Sequence, residues 1–317
     1  MNDLEEVRTR WLAEAGAFER FGTLLECRLA SIVRTLGVHA TISSRPKQID
    51  SLLKKLIRKP KKTYEDLNDK VGVRVIVRYK PEVEAVVRLA SERLVCSPPD
   101  DKASDLEANQ VGYLSVHLDV RLLQDDSAAA SFPPKTYSAE LQIRTLAQHL
   151  WSEMSHDVVY KCDTVLPGEI RRRVFLLAGL VEIADNEFTR LEHDIVELPN
   201  MPEFRILRAL ERQYYKLTAR PGDPELSIAV IQALLPLYSD VPEWQSHFEN
   251  LFTEKEAIFR AVFDNDDPNR SAFLFQPEVL MIYEQLRSNE IGLRRQWNKH
   301  FAERELERLA IAFGVSF

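Results

Sequence analysis

The sequence predicts an α+β fold, a mixed β-sheet flanked by helices and then an all-helical C-terminal region. Three segments alternate apolar and polar residues with the period of a strand. Short strands and helices trade places up to about residue 162. Every later segment carries the three- and four-residue apolar spacing of a helix. A chain of 317 residues has room for two domains, expected at 1–198 and 199–317.

Residues 3–36 read as one long helix or two, with Val7, Trp11, Ala15, Phe18, Phe21, Leu25 and Leu29 on one face. After Arg45, Lys47, Ser51 and Lys55 recur every four residues and form one row along a helix. Ile49, Leu52, Leu53 and Leu56 make its buried stripe, and Pro60 ends it. In the strand 71–79, Val71, Val73, Val75 and Val77 face away from Arg74, Ile76 and Arg78. In 112–120, Leu114, Val116, Leu118 and Val120 oppose Tyr113, Ser115, His117 and Asp119. In 137–144, Tyr137, Ala139, Leu141 and Ile143 oppose Ser138, Glu140, Gln142 and Arg144. Beyond Pro167-Gly168, helices are expected at 169–197, 203–218, 225–235, 243–264, 273–287 and 290–313, punctuated by prolines such as Pro199, Pro221 and Pro242. No fixed-period repeat stands out.

Hydrophobic residues at 45% and charged residues at 29% exclude a mostly disordered chain. No apolar run approaches the ~20 residues that span a bilayer, so no membrane association is expected. The acidic start, Met1-Asn2-Asp3-Leu4-Glu5-Glu6, leads into an amphipathic helix and does not read as a signal peptide. Cys27, Cys96 and Cys162 are too widely spaced for a zinc or paired-thiol motif and fit a reducing, cytoplasmic location. The net charge of −7 argues against nucleic-acid binding over the whole surface. It averages unlike parts: Arg45 to Lys80 carries +8, and residues 151–200 carry −5. A positive segment inside an acidic chain points to a localised polyanion site.

The polar strand faces carry arginines, a tyrosine, a histidine, a glutamate and a glutamine, where a solvated sheet face would carry threonine, lysine and serine. The row Lys47, Ser51, Lys55, preceded by Arg45, suits a polyphosphate, with point charges, a hydroxyl donor and a guanidinium that binds bidentately or stacks. There is no glycine-rich phosphate loop, so side chains would do this work. Singly, Asp69 reads as a turn residue and Glu140 as a surface strand residue. Brought together beside phosphates they suit Mg²⁺, which binds through one or two carboxylates plus phosphate oxygens.

In order, Arg45-Pro-Lys47-Gln-Ile-Asp-Ser51-Leu-Leu-Lys-Lys55, Asp69-Lys-Val-Gly72-Val-Arg74, Gly112-Tyr113-Leu-Ser115-Val-His117 and Glu140-Leu-Gln142-Ile-Arg144-Thr145 resemble the synthetase domain of the RelA/SpoT family, which makes guanosine polyphosphate alarmones. The match runs on through Gln148-His-Leu-Trp151-Ser-Glu153-Met-Ser-His156 and Tyr160-Lys161. It covers about residues 38–162, less than half of the chain. The resemblance implies a nucleotidyltransferase-like domain that transfers pyrophosphate from ATP to a ribose 3′-hydroxyl with Mg²⁺. It further implies that Arg45 and Arg74 sandwich adenine, that Lys47, Ser51 and Lys55 contact the ATP phosphates, and that Asp69 and Glu140 hold metal. Glu140 is the implied base. Tyr113 would stack on the acceptor base, with His117, Gln142 and Arg144 around the acceptor. Trp151 and Met154 read as core positions. His156-Asp157 spells a phosphohydrolase dipeptide without accompanying ligands. With so few residues before Arg45, the family's hydrolase half is expected to be absent, leaving a short, synthetase-only member with a helical extension.

The acceptor is where the chain departs from the family. GDP- or GTP-using members usually carry a cation three residues before the Gly-Tyr pair, and often a polar residue after it. Here Asn109 and Leu114 stand there, behind a loop with Asp100, Asp101, Asp105 and Glu107. The expected function is therefore ATP-dependent pyrophosphorylation of a guanine nucleotide. An adenine nucleotide, or the 3′ end of tRNA as in toxic short members, is the alternative acceptor. A non-catalytic nucleotide sensor is disfavoured by the two retained acids. The C-terminal helices would then recognise a protein partner. Short members often assemble, though nothing in this sequence fixes an oligomeric state.

Overall fold

The computed structural model describes residues 4–58, 62–98, 100–101, 115–155, 167–198, 200–238, 241, 243–264 and 271–315. They form two compact units, one of residues 1–33 with 40–190 and one of residues 34–39 with 191–317.

The first unit is built on a mixed sheet of six strands: β1 (Thr41–Pro46), β2 (Val71–Val77), β3 (Val95–Cys96), β4 (Asp100–Asp101), β5 (Val116–Arg121) and β6 (Ala139–Thr145). The order is β1-β2-β6-β5-β3, with β4 also on β5. Among the described strands only β2 and β6 run parallel. A parallel pair needs a long crossover, and this one contains helix α3 (Lys80–Arg93) and the β3–β5 strands. The alternating valines of β2 and Ala139, Leu141 and Ile143 of β6 are fully buried, as the period-two pattern requires.

Helix α1 (Leu4–Leu36) is one uninterrupted helix. Its stripe of Trp11, Phe18, Phe21, Leu25 and Leu29 is buried, and Phe18 and Phe21 close on Tyr137 at 5.0 and 5.4 Å. Gly22 allows it to lie tight against β1 and β2, since a Cβ there would sit 2.6 Å from the Ser44 hydroxyl and 3.3 Å from Val71. Strand β1 is not among the expected strands, because Thr-Ile-Ser-Ser-Arg-Pro has little apolar alternation and pairs as an edge. Helix α2 (Ile49–Arg58) buries Leu52, Leu53 and Leu56.

Helix α4 (Leu146–Ser155) follows β6 directly and packs on β2 and β6. That cover corrects the expectation of an open polar face along the whole strand: Ile76 and Arg144, at the α4 end of that face, are buried. Met154, expected in the core, is 59% exposed instead.

The second unit is all helical. Helix α5 (Gly168–Val196) leads to it, and it contains α6 (Pro202–Thr218), α7 (Pro224–Leu234), α8 (Trp244–Asp264), α9 (Val279–Ser288), α10 (Glu290–Trp297) and α11 (Glu303–Ala312). Two expected helices are divided. The segment 273–287 becomes a 3₁₀ turn at 272–275 followed by α9, because Pro277 interrupts the backbone ladder. The segment 290–313 turns at 298–302, where the buried Trp297 indole donates to the Ala302 carbonyl. Arg34 donates to the carbonyls of Lys216 and Leu217 at 2.7 and 2.8 Å, satisfying acceptors that the end of α6 leaves open. The core gathers Ile206, Leu210, Phe248, Phe259, Leu280 and Trp297. Among the described residues no helix is long and apolar enough to cross a membrane.

Inside that core lies the carboxyl of Glu278. Glu278 is fully buried, its Oε2 accepts from Ser227 Oγ at 2.6 Å, and its Oε1 has no partner. Burial pushes its pKa up to about 7 from the ordinary 4.5. The folded state then holds a proton that the unfolded chain releases, so stability falls as pH rises from 4.5 to about 7 and levels off above. Glu278→Gln should stabilise the protein by roughly 1–3 kcal/mol at pH 8. The gain should vanish near pH 4.5 in calorimetric melts. A gain independent of pH would assign Glu278 no buried proton.

Candidate active site

Two rows of directly opposed residues cross the sheet on one face. In one, Arg45 of β1 faces Gly72 of β2, Gly72 faces Glu140 of β6, and Glu140 faces Asp119 of β5. In the other, Ser43 faces Arg74, Arg74 faces Gln142, and Gln142 faces His117. Adjacent strands lie about 4.8 Å apart, so opposed side chains along a row are near neighbours. Gly72 leaves a gap in its row, where a Cβ would meet nothing within 4 Å. Over this surface lies a cavity of about 300 Å³ that brings together Arg45, Lys47, Asp69, Arg74, Glu140 and Gln142, with Ser43, Ser44 and Gly72 as further walls.

Lys47 and Lys55 both donate to Asp69 Oδ2, Lys55 at 2.6 Å. The Lys47 backbone donates to the Lys70 carbonyl at 2.8 Å, which ties the start of α2 to the start of β2. Burial pushes the Asp69 carboxyl up, but the two ammonium groups more than offset it and hold it below the usual range. Its second oxygen, Oδ1, is buried without a hydrogen-bond partner. Lys47 lies two residues before α2, so the expected single helical row is not formed, and Ser51, on α2, is exposed and does not line the cavity.

Glu140 is fixed from two sides. Gln142 Nε2 donates to Glu140 Oε2 at 2.7 Å, and His117 Nδ1 stands 3.7 Å from Oε1. The imidazole and the amide hold its carboxyl below the usual range against the upward push of burial. Arg144 is buried, donates to Gln142 Oε1 and does not reach the cavity wall. It holds Gln142 from further along the same strand, and its burial sets it apart from the open polar face expected of that strand. Tyr113 lies outside the described residues, as do Asn109, Leu114, the loop acids Asp105 and Glu107, and His156, Tyr160 and Lys161.

Among the described residues no group of three or more His, Cys, Asp or Glu could hold a metal by itself. The donor set still fits Mg²⁺ that arrives with phosphates, because such sites use one or two carboxylates and complete the shell with phosphate oxygens and water. Asp69 Oδ1, a buried carboxylate oxygen without a hydrogen-bond partner, is the donor such a site requires.

Ser43, Ser44 and Glu153 join the site without having been assigned a role from the sequence. The serines come with the edge strand β1. Glu153 projects from α4 and accepts from Arg74 Nη1 at 2.8 Å, with His149 Nδ1 at 3.9 Å from the same oxygen. The spacing of His149 and Glu153, four apart on one helix, was visible, but their reach to Arg74 across the sheet was not.

The model of the family described as a region found in RelA and SpoT proteins matches residues 44–165, the segment that supplies the cavity wall. Residues 44–165 are thus similar to the synthetase region of RelA and SpoT proteins. Two curated relatives agree. GTP pyrophosphokinase YjbM of Bacillus subtilis (strain 168) is 26% identical over 159 residues, 49% of this chain and 73% of that protein. GTP pyrophosphokinase YwaC of the same organism is 24% identical over 208 residues, 62% and 96% respectively. The crystal structure of small alarmone synthetase 1 from Bacillus subtilis, bound to its product pppGpp, shares the fold at 23% identity and a TM-score of 0.50. It covers 59% of this chain and 98% of that one. The RelA/SpoT domain here is thus a distant homologue of GTP pyrophosphokinases, with a helical region after about residue 165.

In this geometry Asp69 competes with any phosphate for Lys47 and Lys55. Asp69→Asn should tighten Mg²⁺-free binding of a nucleoside triphosphate about fivefold, the equivalent of ~1 kcal/mol, in a calorimetric titration. Weaker binding would show that the pairing orders the lysines for phosphate and does not occupy them.

Proposed function

We propose that this protein transfers pyrophosphate from ATP to the ribose 3′-hydroxyl of a guanine nucleotide, GDP or GTP, making (p)ppGpp-type alarmones. The observation that carries the reading is the single cavity in which Arg45, Lys47 and Arg74 meet Asp69 and Glu140. The family match over residues 44–165 and the distant GTP pyrophosphokinase relatives support it.

Arg45 and Arg74 sit on neighbouring strands, within reach of the two faces of one purine ring, and Glu153 limits the swing of Arg74. Lys47 and Lys55 exchange the Asp69 carboxylate for phosphate oxygens when ATP enters, and Ser51 offers a hydroxyl from the Lys55 face of α2. Asp69 and Glu140 would hold Mg²⁺, which when bound neutralises charge on the phosphates. Glu140, kept ionised by His117 and Gln142, accepts the proton of the attacking 3′-hydroxyl. The 3′-oxygen bonds to the β-phosphorus, the bond to the α-phosphate oxygen breaks, and AMP leaves. Most of the rate enhancement in such transfer comes from positioning and charge neutralisation, which matches a site rich in cations and poor in nucleophiles. His117, Gln142 and Tyr113 would serve the acceptor, and stacking on Tyr113 would contribute about 1–3 kcal/mol.

The test incubates the purified chain with Mg²⁺, ATP labelled on its terminal phosphate, and GDP, GTP, ATP or deacylated tRNA in separate reactions. Label on GDP or GTP is expected. Label on tRNA or an adenine nucleotide would move the acceptor, and no label on any would leave a nucleotide-binding module. In the productive reaction, Glu140→Gln should lower turnover by at least about 10²-fold while ATP still binds. Wild-type turnover in that variant would remove Glu140 as the base.

A further inference from the structure

Asp69 lies in an irregular stretch, residues 62–70, that leads into β2, yet both of its chain neighbours are pinned. On one side the Lys70 ammonium is buried, 4.2 Å from the centre of the Tyr64 ring and 5.5 Å from that of Phe18 on α1. On the other side Asn68 is held twice. Its carbonyl accepts from Ser138 Oγ at 2.9 Å, and its Nδ2 donates to Asp119 Oδ2 at 3.1 Å. Ser138 is buried and stands two residues before Glu140, and Asp119 of β5 lies directly opposite Glu140. Asp119 is itself fixed, since its backbone N–H donates to Ser97 Oγ and its carbonyl accepts from the Ser97 N–H, both at 2.9 Å. Through Asn68, the residue before one acid of the cavity is tied to two residues that flank the other.

A purely structural clasp does not call for a carboxylate at this place. Two acids directly opposed on one sheet face repel, so an asparagine or threonine at 119 would hold Asn68 with less repulsion. What the carboxylate adds is a charge-assisted bond to the Asn68 amide, roughly twice as strong as a neutral one. Such stiffness matters for Mg²⁺, which demands near-ideal octahedral geometry with oxygens at about 2.0–2.1 Å. Asp69 and Glu140 come from different elements and line the same cavity, so their spacing depends on how residues 62–70 are joined to β5 and β6. Asn68 makes that join with both its backbone and its side chain.

We propose that Asn68 is a positioning residue for the metal site: bridged to Asp119 and Ser138, it sets Asp69 at the spacing from Glu140 at which both carboxylates reach one divalent cation held with the ATP phosphates. The proposal rests on the reading of Asp69 and Glu140 as the metal-holding acids.

Mn²⁺ takes the same oxygen ligands as Mg²⁺, and its free form is counted by electron paramagnetic resonance. The test saturates the full chain with a non-hydrolysable ATP analogue and titrates in Mn²⁺. The wild-type complex should bind Mn²⁺ more tightly than the analogue alone. Asn68→Ala and Asp119→Ala should each raise the Mn²⁺ dissociation constant about tenfold, the usual effect of removing an outer partner of a metal ligand. The double variant should be no weaker than either, because both changes remove one bond. Asp119→Asn, which keeps an acceptor for the Asn68 amide, should stay within about threefold of the wild type. Metal-free affinity for the analogue should be unchanged in all four variants, a readout that general loosening of the site would not spare. Unchanged Mn²⁺ affinity in Asn68→Ala overturns the positioning role and leaves the metal-holding acids in place. Metal-free affinity that falls in step with Mn²⁺ affinity overturns it too, as disorder of the whole site. A wild-type complex that binds Mn²⁺ no better than the analogue alone removes the metal-holding reading, and the proposal with it.

Discussion

The parallel pairing of β2 with β6 is the constraint from which the site follows. It sets Gly72 beside Glu140 and Arg74 beside Gln142, while the antiparallel neighbours β1 and β5 extend each row to Arg45 and Asp119, and to Ser43 and His117. A one-residue slip of β6 would turn Glu140 and Gln142 into the core and bring Leu141 to the cavity. The buried valines of β2 and the buried Ala139, Leu141 and Ile143 oppose that slip, so apolar packing on one face fixes polar chemistry on the other.

The second level of organisation is electrostatic. Lys47 just before α2, Lys55 on α2 and Asp69 just before β2 neutralise one another in a part-buried setting, so the cations stay ordered without a ligand. The same logic holds Glu140, where an imidazole and an amide stabilise the anion. Both acids are ionised at neutral pH by their immediate partners. For a reaction that depends on charge compensation, this preorganisation matters more than any single strong contact.

Much of this was legible in the sequence, and the remainder was hidden for physical reasons. Strict alternation made β2 and β6 readable, whereas the four-residue spacing of Lys47, Ser51 and Lys55 did not make one helical row, because α2 begins only at Ile49. Strand β1 was not readable, because an edge strand needs no apolar alternation. The burial of Arg144 depends on α4 folding back over the sheet, which no local pattern announces. The Lys47–Asp69 and Lys55–Asp69 pairs span 22 and 14 residues and exist only once α2 is seated.

The proposed reaction requires that the sheet face bearing Arg45 and Arg74, with the two lysines beside it, bind a nucleoside triphosphate. The most direct measurement is the affinity of the full chain for a non-hydrolysable ATP analogue with Mg²⁺, compared between the wild type and Arg74→Ala. Loss of a guanidinium stacked on a purine should weaken binding by about tenfold, equivalent to ~1.4 kcal/mol. An unchanged affinity in Arg74→Ala would contradict the account, because the adenine would then lie away from this cavity.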